Sequence, residues 1–241
     1  MKQFLNFLLN IFFPRICLGC KKEGSWLCDD CFSTIEIQHF QYCPFCKEKV
    51  RIFQGKCQGK CNKHLKKKLD GLYFAAPYNQ PLVKKLITKF KYEPFIKELT
   101  FSLSLIIIAH LKLSLEDKLN EIFQNAVFIP IPLSQDRFRS RGFNQAKEIG
   151  KILSNVFKVP FLTKTLFKIK KTKPQVGLSL EEREKNVKGI FLVENSDLIK
   201  NKKIFLIDDV FTTGSTMEEA AKTLKKSSAK EVWGIVVTRE E

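Results

Sequence analysis

The 241-residue sequence lacks the features that direct a protein to a membrane or out of the cell. No uninterrupted apolar run approaches the ~20 residues that a bilayer-spanning helix needs, so we expect no transmembrane segment. Residues 1–14 carry an apolar stripe, but no small-x-small cleavage site follows it. The stripe predicts a short helix that packs on the protein surface, with peripheral contact to a membrane as the alternative.

Cysteine is absent after Cys61, and all eight cysteines form close pairs within one short segment. A secreted disulfide framework scatters its cysteines and follows a signal peptide. A two-residue spacing instead points two thiolates at one tetrahedral ion. The pairs therefore predict structural zinc, reduced thiols and a cytoplasmic protein. The pairs are Cys17 and Cys20, Cys28 and Cys31, Cys43 and Cys46, and Cys57 and Cys61.

Sequential grouping is the simplest arrangement, with the first four cysteines on one zinc ion and the last four on a second. Three residues separate Cys57 from Cys61, so His64 is an alternative ligand to Cys61. A single zinc ion and interleaved ligation both stay open. We expect the metal to stabilise a segment too short to build its own core, without chemistry at the metal.

Acidic residues are few: 25 Asp and Glu stand against 42 Lys and Arg, which gives a net charge of +17. Such an excess predicts attraction to phosphate, whether in nucleic acid, nucleotides or anionic lipid. Aromatic residues such as Trp26 and Phe40 are interspersed in the basic, cysteine-rich N-terminal region, which ends at Lys66, Lys67 and Lys68. Basic residues and stacking aromatics are typical of single-stranded DNA binding. A small aromatic core beside a solvated loop is the alternative.

From Leu69 onwards, short apolar strands alternate with amphipathic helices. This pattern predicts an α/β domain with a mostly parallel sheet covered on both faces. We therefore divide the chain into residues 1–68, a short helix plus zinc-binding unit, and residues 69–241, the α/β domain. Strands are predicted at residues 72–76, 126–131, 190–193, 204–207 and 231–238, and helices at residues 82–90, 95–113, 144–157 and 217–226.

Residues 204–216 are the most informative segment of the chain. A buried strand ends in Asp208 and Asp209, and a hydroxyl-rich loop and a helix start follow. Adjacent carboxylates repel each other, and the charged pair is stable only where a cation or the hydroxyl groups of a ligand compensate the repulsion. A loop at a helix start offers free N–H groups to phosphate. The segment thus fits a sugar phosphate, with the phosphate loop formed by Thr212, Thr213, Gly214, Ser215 and Thr216.

Two further segments carry candidate binding residues. Arg137, Arg139 and Arg141 follow a predicted strand and are expected in a loop, where guanidinium groups suit phosphate oxygens. The alternative is a solvated basic loop. Beyond them, the weakly apolar stretch 172–189 contains Thr172-Lys173-Pro174-Gln175 and Arg183. A loop of this length in a compact domain is usually functional, so we expect a lid that brings Arg183 to the site, with surface pairing to a neighbouring glutamate as the alternative.

The 204–216 segment resembles the phosphoribosyl pyrophosphate signature of type I phosphoribosyltransferases. The cysteine pairs, the arginine segment, the Thr-x-Pro-Gln loop and this signature, in that order, resemble the ComF (ComFC) family of competence-associated phosphoribosyltransferase-like proteins. Two features depart from the pattern: the three-residue gap before Cys61, and lysine at positions 170 and 171 where arginine is expected. The resemblance implies a type I phosphoribosyltransferase fold with an N-terminal double zinc ribbon.

The resemblance also implies chemistry and partners. Asp208 and Asp209 would bind the ribose hydroxyls and Mg2+-associated waters, and the phosphate loop would hold the 5-phosphate. Arg137 or Arg139 would neutralise the pyrophosphate, and the catalytic set would be Asp208, Asp209 and Arg183. The implied role is natural competence, in which the protein handles incoming single-stranded DNA beside a competence helicase or other uptake proteins. The alternative is an active enzyme that transfers phosphoribosyl to a base or amine. A regulator that binds without turnover has the same fold.

Overall fold

The computed structural model describes residues 14–46, 52–53, 56–57, 67–170 and 180–240. In chain order, the helices are α1 (Asp29–Ser33), α2 (Pro81–Lys91), α3 (Leu99–Leu115), α4 (Leu119–Phe123), α5 (Gln135–Arg141), α6 (Gln145–Phe157), α7 (Leu180–Asn186) and α8 (Ser215–Lys226). The strands are β1 (Ile52–Phe53), β2 (Lys56–Cys57), β3 (Gly71–Pro77), β4 (Ala126–Pro130), β5 (Leu166–Lys168), β6 (Phe191–Val193), β7 (Lys203–Phe211) and β8 (Glu231–Arg239).

The centre of the fold is a four-stranded parallel sheet in the order β3-β8-β7-β4. Strands β3 and β4 are buried along their whole length, as expected for a parallel sheet with both faces covered. The carboxyl ends of the strands meet at one edge, where ligands bind in open α/β sheets. The predicted fold class is confirmed.

Each face of the sheet has its own core. One core joins α2, α3 and α6 to inward residues such as Tyr73, Phe128 and Phe205. On the opposite face α8 packs over Leu72 and Phe74, beside the antiparallel pair β5 and β6. Period-2 alternation along the strands supplies the two apolar faces, and the amphipathic helices cover them.

The predicted elements of the α/β domain are largely confirmed, with differences where tertiary pairing decides the outcome. Strand β7 continues to Phe211, so that Asp208 lies within the strand, opposite Val236 of β8. The arginine segment, expected as a loop, forms helix α5, and α7 forms within the stretch expected as a loop. The predicted N-terminal helix lies outside the described residues, apart from Pro14.

The two edges of the sheet are covered by short backbone contacts rather than by further strands. At the β3 edge, Tyr42 exchanges two backbone hydrogen bonds with Leu72, and the N–H of Gln38 donates to the carbonyl of Ala75. At the β4 edge, the Phe128 N–H donates to the carbonyl of Pro160 and the Leu162 N–H donates to the carbonyl of Phe128, in a parallel bridge. The cysteine-rich segment is thus built onto the sheet.

The chain enters the sheet through a clamp on α8. The buried Glu218 carboxylate accepts from the backbone N–H groups of Lys68 and Leu69, at 3.0 to 3.1 Å. The Lys225 ammonium donates to the Asp70 carboxylate at 2.7 Å. The residues at the proposed domain boundary, Lys68 to Asp70, are therefore bonded to α8, the helix that follows the phosphate loop.

Helix α3 is the most apolar element of the domain. With the following turns, Leu99–Phe123 is long and apolar enough to cross a bilayer by length and composition, with a mean hydropathy of 1.5 over its best window. The sequence contains no uninterrupted apolar run of that length, but the polar residues that interrupt this one leave the mean hydropathy of the window high. Half of that window is buried, and α3 packs on β3 and α6, as a core helix does.

Candidate functional site

The first four cysteines form a cluster with the geometry of a metal centre. The Sγ atoms of Cys17, Cys20, Cys28 and Cys31 all lie within 4.8 Å of one another. The Cys17–Cys28 and Cys20–Cys28 Sγ distances are 3.6 and 3.5 Å, close to the roughly 3.8 Å of a tetrahedral zinc site with Zn–S bonds near 2.3 Å. A thiolate donor set of this kind fits zinc.

Gly19 keeps this cluster open. A Cβ atom at Gly19 would lie 2.5 Å from the Sγ of Cys31, inside van der Waals contact. The cluster is fixed to the α/β domain by the Lys85 ammonium of α2, which donates to the carbonyl of Leu18 at 2.8 Å. The sequential grouping of these four cysteines is thus compatible with the structure.

The second cysteine group is described in part. The backbone N–H groups of Phe45 and Cys46 point at the Sγ of Cys43, at 3.3 and 3.2 Å, which is the geometry of a thiolate knuckle. The Arg239 guanidinium, at the end of β8, donates to the carbonyls of Cys43 and Cys46. Cys57 lies in β2, while Cys61 and His64 lie outside the described residues, so the second zinc stays a prediction.

A pocket of about 360 Å³ opens at the carboxyl edge of the sheet, above the end of β7. Asp208 and Asp209 lie on its wall, and Asp209 is 4% exposed. The Asp209 N–H donates to the Asp208 carboxylate at 2.9 Å. Burial, and then the neighbouring Asp209 carboxylate, raise the pKa of Asp208 to about 7. A second negative charge on the pair is therefore costly, and a cation or a ligand hydroxyl beside the carboxylates would lower that cost.

The predicted phosphate loop forms the rim of the same pocket. Thr212, Gly214, Ser215 and Thr216 line it, at the start of α8. The hydroxyl of Thr213 lies 3.0 Å from that of Ser215, which is a contact within the loop. Ser215 and Thr216, the first residues of α8, line the pocket, and a helix start of this kind suits a phosphate.

Two of the three candidate arginines line the pocket. Arg137 and Arg141 are four residues apart on α5 and share one face of the helix. Arg139 lies about 200° further round and borders a separate groove with Phe138 and Lys147. Arg183 lies on α7 and is not among the pocket-lining residues in the described part of the chain. The rest of the predicted lid, residues 171–179, lies outside the described residues.

Two lysines that the sequence analysis missed complete the pocket. The Lys91 ammonium lies 2.9 Å from the Asp209 carboxylate. Burial would lower the pKa of Lys91, but the charges of Asp209 and Asp208 raise it. Lys168 of β5 also lines the pocket, and burial and then the charge of Arg137 lower its pKa to about 8. The pocket therefore combines a carboxylate pair with four cationic side chains.

A family model described as the phosphoribosyl transferase domain matches residues 140–240, which span the phosphate loop and both central strands. Competence protein F of Haemophilus influenzae is 30% identical over 233 residues, which cover 93% of this chain and 97% of that protein. The chain belongs to the competence protein F family. Competence protein ComFC of Streptococcus pneumoniae is 28% identical over 88% of this chain and 87% of its own length.

This competence protein F family member is also similar to proteins of other names. The DNA utilization protein YhgH of Escherichia coli K12 is 26% identical over 86% of this chain and 95% of its own length. Among solved structures, a purine phosphoribosyltransferase from Pyrococcus horikoshii is 18% identical, covers 58% of this chain and 84% of its own, and has a TM-score of 0.33.

In this competence protein F family member, the residues missed from the sequence come from outside the signature. Lys91 ends an ordinary amphipathic helix, and Lys168 lies on a three-residue strand in a lysine-rich stretch. Neither has a local pattern that distinguishes it from a surface lysine. Only the packing of α2 and β5 against the carboxyl edge of the sheet brings them to the acidic pair.

Proposed function

We propose that this competence protein F family member binds phosphoribosyl pyrophosphate with Mg2+ at the pocket on the carboxyl edge of the sheet. The observation that carries the proposal is one pocket lined by Asp208 and Asp209, by the phosphate loop, and by two arginines of α5, Arg137 and Arg141. Carboxylates suit ribose hydroxyls and Mg2+-bound waters, and the helix start suits the 5-phosphate. The donor set therefore fits this ligand and its metal.

The roles of the residues follow from their places on the pocket wall. Thr212, Gly214, Ser215 and Thr216 would hold the 5-phosphate, with Thr213 fixing the loop. Asp208 and Asp209 would accept from the ribose hydroxyls. Arg137 and Arg141 would face the pyrophosphate. Arg139 lies outside the pocket on α5, and Arg183 would reach the ligand only if the lid closes. Bound Mg2+ would supply positive charge that neutralises the pyrophosphate.

Calorimetric titration of phosphoribosyl pyrophosphate with Mg2+ into zinc-replete protein tests this proposal. We expect saturable binding in the natural chain and none in the Asp208→Asn/Asp209→Asn variant, because the amides cannot supply the charge that the ribose hydroxyls and the metal require. Asp70→Asn is the matched control, since that carboxylate lies on the other side of α8, against Lys225. Absence of binding in the natural chain would reject the proposal.

A second candidate is an active phosphoribosyltransferase that displaces pyrophosphate from C1 of the sugar in favour of a base or amine. Four cations around the acidic pair would favour departure of pyrophosphate, and Asp208 and Asp209 would stabilise positive charge that develops on the ribose. Arg183, together with the acidic pair, is the candidate catalytic set. Release of pyrophosphate in the presence of mixed bases and amines would support turnover, and its absence at saturation would leave a binding protein.

We further propose that the chain acts in natural competence by handling incoming single-stranded DNA in the cytoplasm, beside a competence helicase or other uptake proteins. The competence names of its relatives and the net charge of +17 support this role. In this proposal residues 1–68, with one or two structural zinc ions, hold the strand, and residues 69–241 bind the sugar phosphate. Lys67 lies over the ring of Phe45, which places a cation and an aromatic side by side.

Charge reversal tests the DNA-binding surface. We expect the Lys66→Glu/Lys67→Glu/Lys68→Glu variant to lose most of the affinity for a single-stranded oligonucleotide and to show a shallower salt dependence, because fewer counterions are released. Lys118→Glu/Lys151→Glu/Lys158→Glu is the control, with the same change in net charge at three exposed positions on other elements. Equal losses in both variants, measured by fluorescence anisotropy, would indicate a general charge effect and not a site.

A further inference from the structure

Lys91 and Asp209 form an ion pair in the pocket that the proposed function does not use. The Lys91 Nζ atom lies 2.9 Å from the Asp209 Oδ1 atom. The Asp209 side chain is 6% exposed and that of Lys91 is 21% exposed. Removing two charges from water is costly, so a pair with this burial at the edge of a binding pocket points to a role in binding.

The position of Lys91 is fixed by the packing of its neighbours. The preceding residue, Phe90, is fully buried, and its ring packs on that of Phe143 with centroids 5.5 Å apart. The buried Gln145 amide donates to the carbonyl of Phe90 at 3.4 Å. These contacts lock the last turn of α2 against the start of α6. Lys91 is therefore directed at the acidic pair by the fold and not by chance rotation of an exposed side chain.

Lys91 compensates part of the negative charge of the acidic pair. Asp208 and Asp209 bring two carboxylates, and Lys91 compensates one of them directly. The guanidinium of Arg141 and the ammonium of Lys168 lie further out on the pocket wall and also act on the pair. Asp209 already has one oxygen in an ion pair, and Asp208 accepts from the Asp209 N–H. The empty pair thus presents little negative charge to a free divalent cation.

We propose that Lys91 is the resident counter-ion of the acidic pair and prevents free divalent cations from loading the empty pocket. The oxygens of the sugar pyrophosphate would then supply the ligands for a divalent cation that the compensated pair does not offer. On arrival of that ligand the Asp209 carboxylate turns to the ribose hydroxyl and the metal-bound water. The Lys91 ammonium, released from Asp209, faces the incoming anion. This role rests on the proposed function of the pocket.

The test measures the affinity of zinc-replete protein for free Mn2+ by electron paramagnetic resonance, in the absence of any sugar phosphate. We expect Lys91→Met to bind one Mn2+ at least roughly tenfold more tightly than the natural chain, because a unit charge a few ångströms from a divalent ion outweighs one factor of ten in affinity. The gain must vanish in Lys91→Met/Asp209→Asn. Lys91→Arg, which keeps the charge, should bind Mn2+ as weakly as the natural chain.

Lys89→Met is the matched control, with the same substitution two residues earlier on α2 and outside the pocket lining. Lys91→Gln is the second neutral variant, for use if the methionine variant fails to fold. An unchanged Mn2+ affinity in both neutral variants would overturn the proposal. A gain that persists after Asp209→Asn, or that Lys89→Met reproduces, would overturn it as well.

Titration of phosphoribosyl pyrophosphate with Mg2+ into the same proteins separates this proposal from the proposed function. We expect the neutral variants at Lys91 to bind this ligand more weakly while they bind free Mn2+ more tightly. Absence of sugar pyrophosphate binding in every variant would reject the proposed function of the pocket. The Mn2+ comparison would still decide whether Lys91 compensates the acidic pair.

Discussion

Replacing Gly214 by alanine is expected to weaken the binding of phosphoribosyl pyrophosphate with Mg2+ by at least roughly tenfold, a loss of about 1.4 kcal/mol. Gly214 has a φ of +76°, in the left-handed region, where a residue with a Cβ atom costs roughly 1–2 kcal/mol. The new Cβ atom would also lie 2.3 Å from the ring of Phe211. Phe211 is 3% exposed and cannot move its ring into solvent, so the loop itself must shift.

Gly142→Ala separates backbone strain from the collision with Phe211. Gly142 has nearly the same φ, +75°, but a Cβ atom there meets nothing within 4 Å. We expect this variant to lose some stability through strain alone and to bind the ligand close to normally. Calorimetric titration and thermal unfolding of both variants provide the comparison. Equal ligand affinity in the two variants would show that the loop at Gly214 does not hold the 5-phosphate.

Loss of the first metal centre is expected to have the largest effect on stability. Cys17→Ala should remove one zinc ion per chain and destabilise the protein by several kcal/mol, because zinc bound by folded ligands adds its binding free energy to folding. The cluster carries buried Leu18 and Leu27 against the core on the α2 and α3 side of the sheet. A loss of about 4 kcal/mol corresponds to a fall in the melting temperature of roughly 10 °C or more.

Elemental analysis of zinc and differential scanning calorimetry check this expectation. Cys43→Ala is the comparison variant, because it removes a ligand of the predicted second ion and leaves the four Sγ atoms of the first cluster in place. Two ions in the natural chain and one in each variant would support sequential grouping. A Cys17→Ala variant that keeps its full zinc content and melting temperature would contradict the assignment of the first cluster.

The features that could be predicted from the sequence are those written in consecutive residues. The pair Asp208 and Asp209, the phosphate loop and the close cysteine pairs are local patterns whose chemistry depends on neighbours in the chain. Their placement at the end of a parallel strand follows from alternating apolar strands and amphipathic helices. The structure brings the acidic pair and the loop into one pocket, as that reasoning predicts.

The features that were not predicted depend on tertiary contacts, or lie in a segment whose helical structure the sequence pattern does not indicate. Arg137, Arg139 and Arg141 were expected in a loop, where all three reach one ligand, but a helix selects positions four apart and turns Arg139 away. A short charged helix of this kind has no apolar stripe to reveal it. Lys91 reaches Asp209 only because α2 packs beside α6, which no local pattern of the chain encodes.

The backbone contacts at the β3 edge predict how a truncated form of this protein would behave. Residues 38–42 cover a seven-residue strand in which every side chain is buried. A fragment that begins at residue 69 would expose this strand as a flat, unpaired apolar edge, which is a template for pairing with another chain. The isolated α/β domain is therefore expected to self-associate and precipitate. The cysteine-rich segment thus also serves as a built-in protection against aggregation, whatever else it binds.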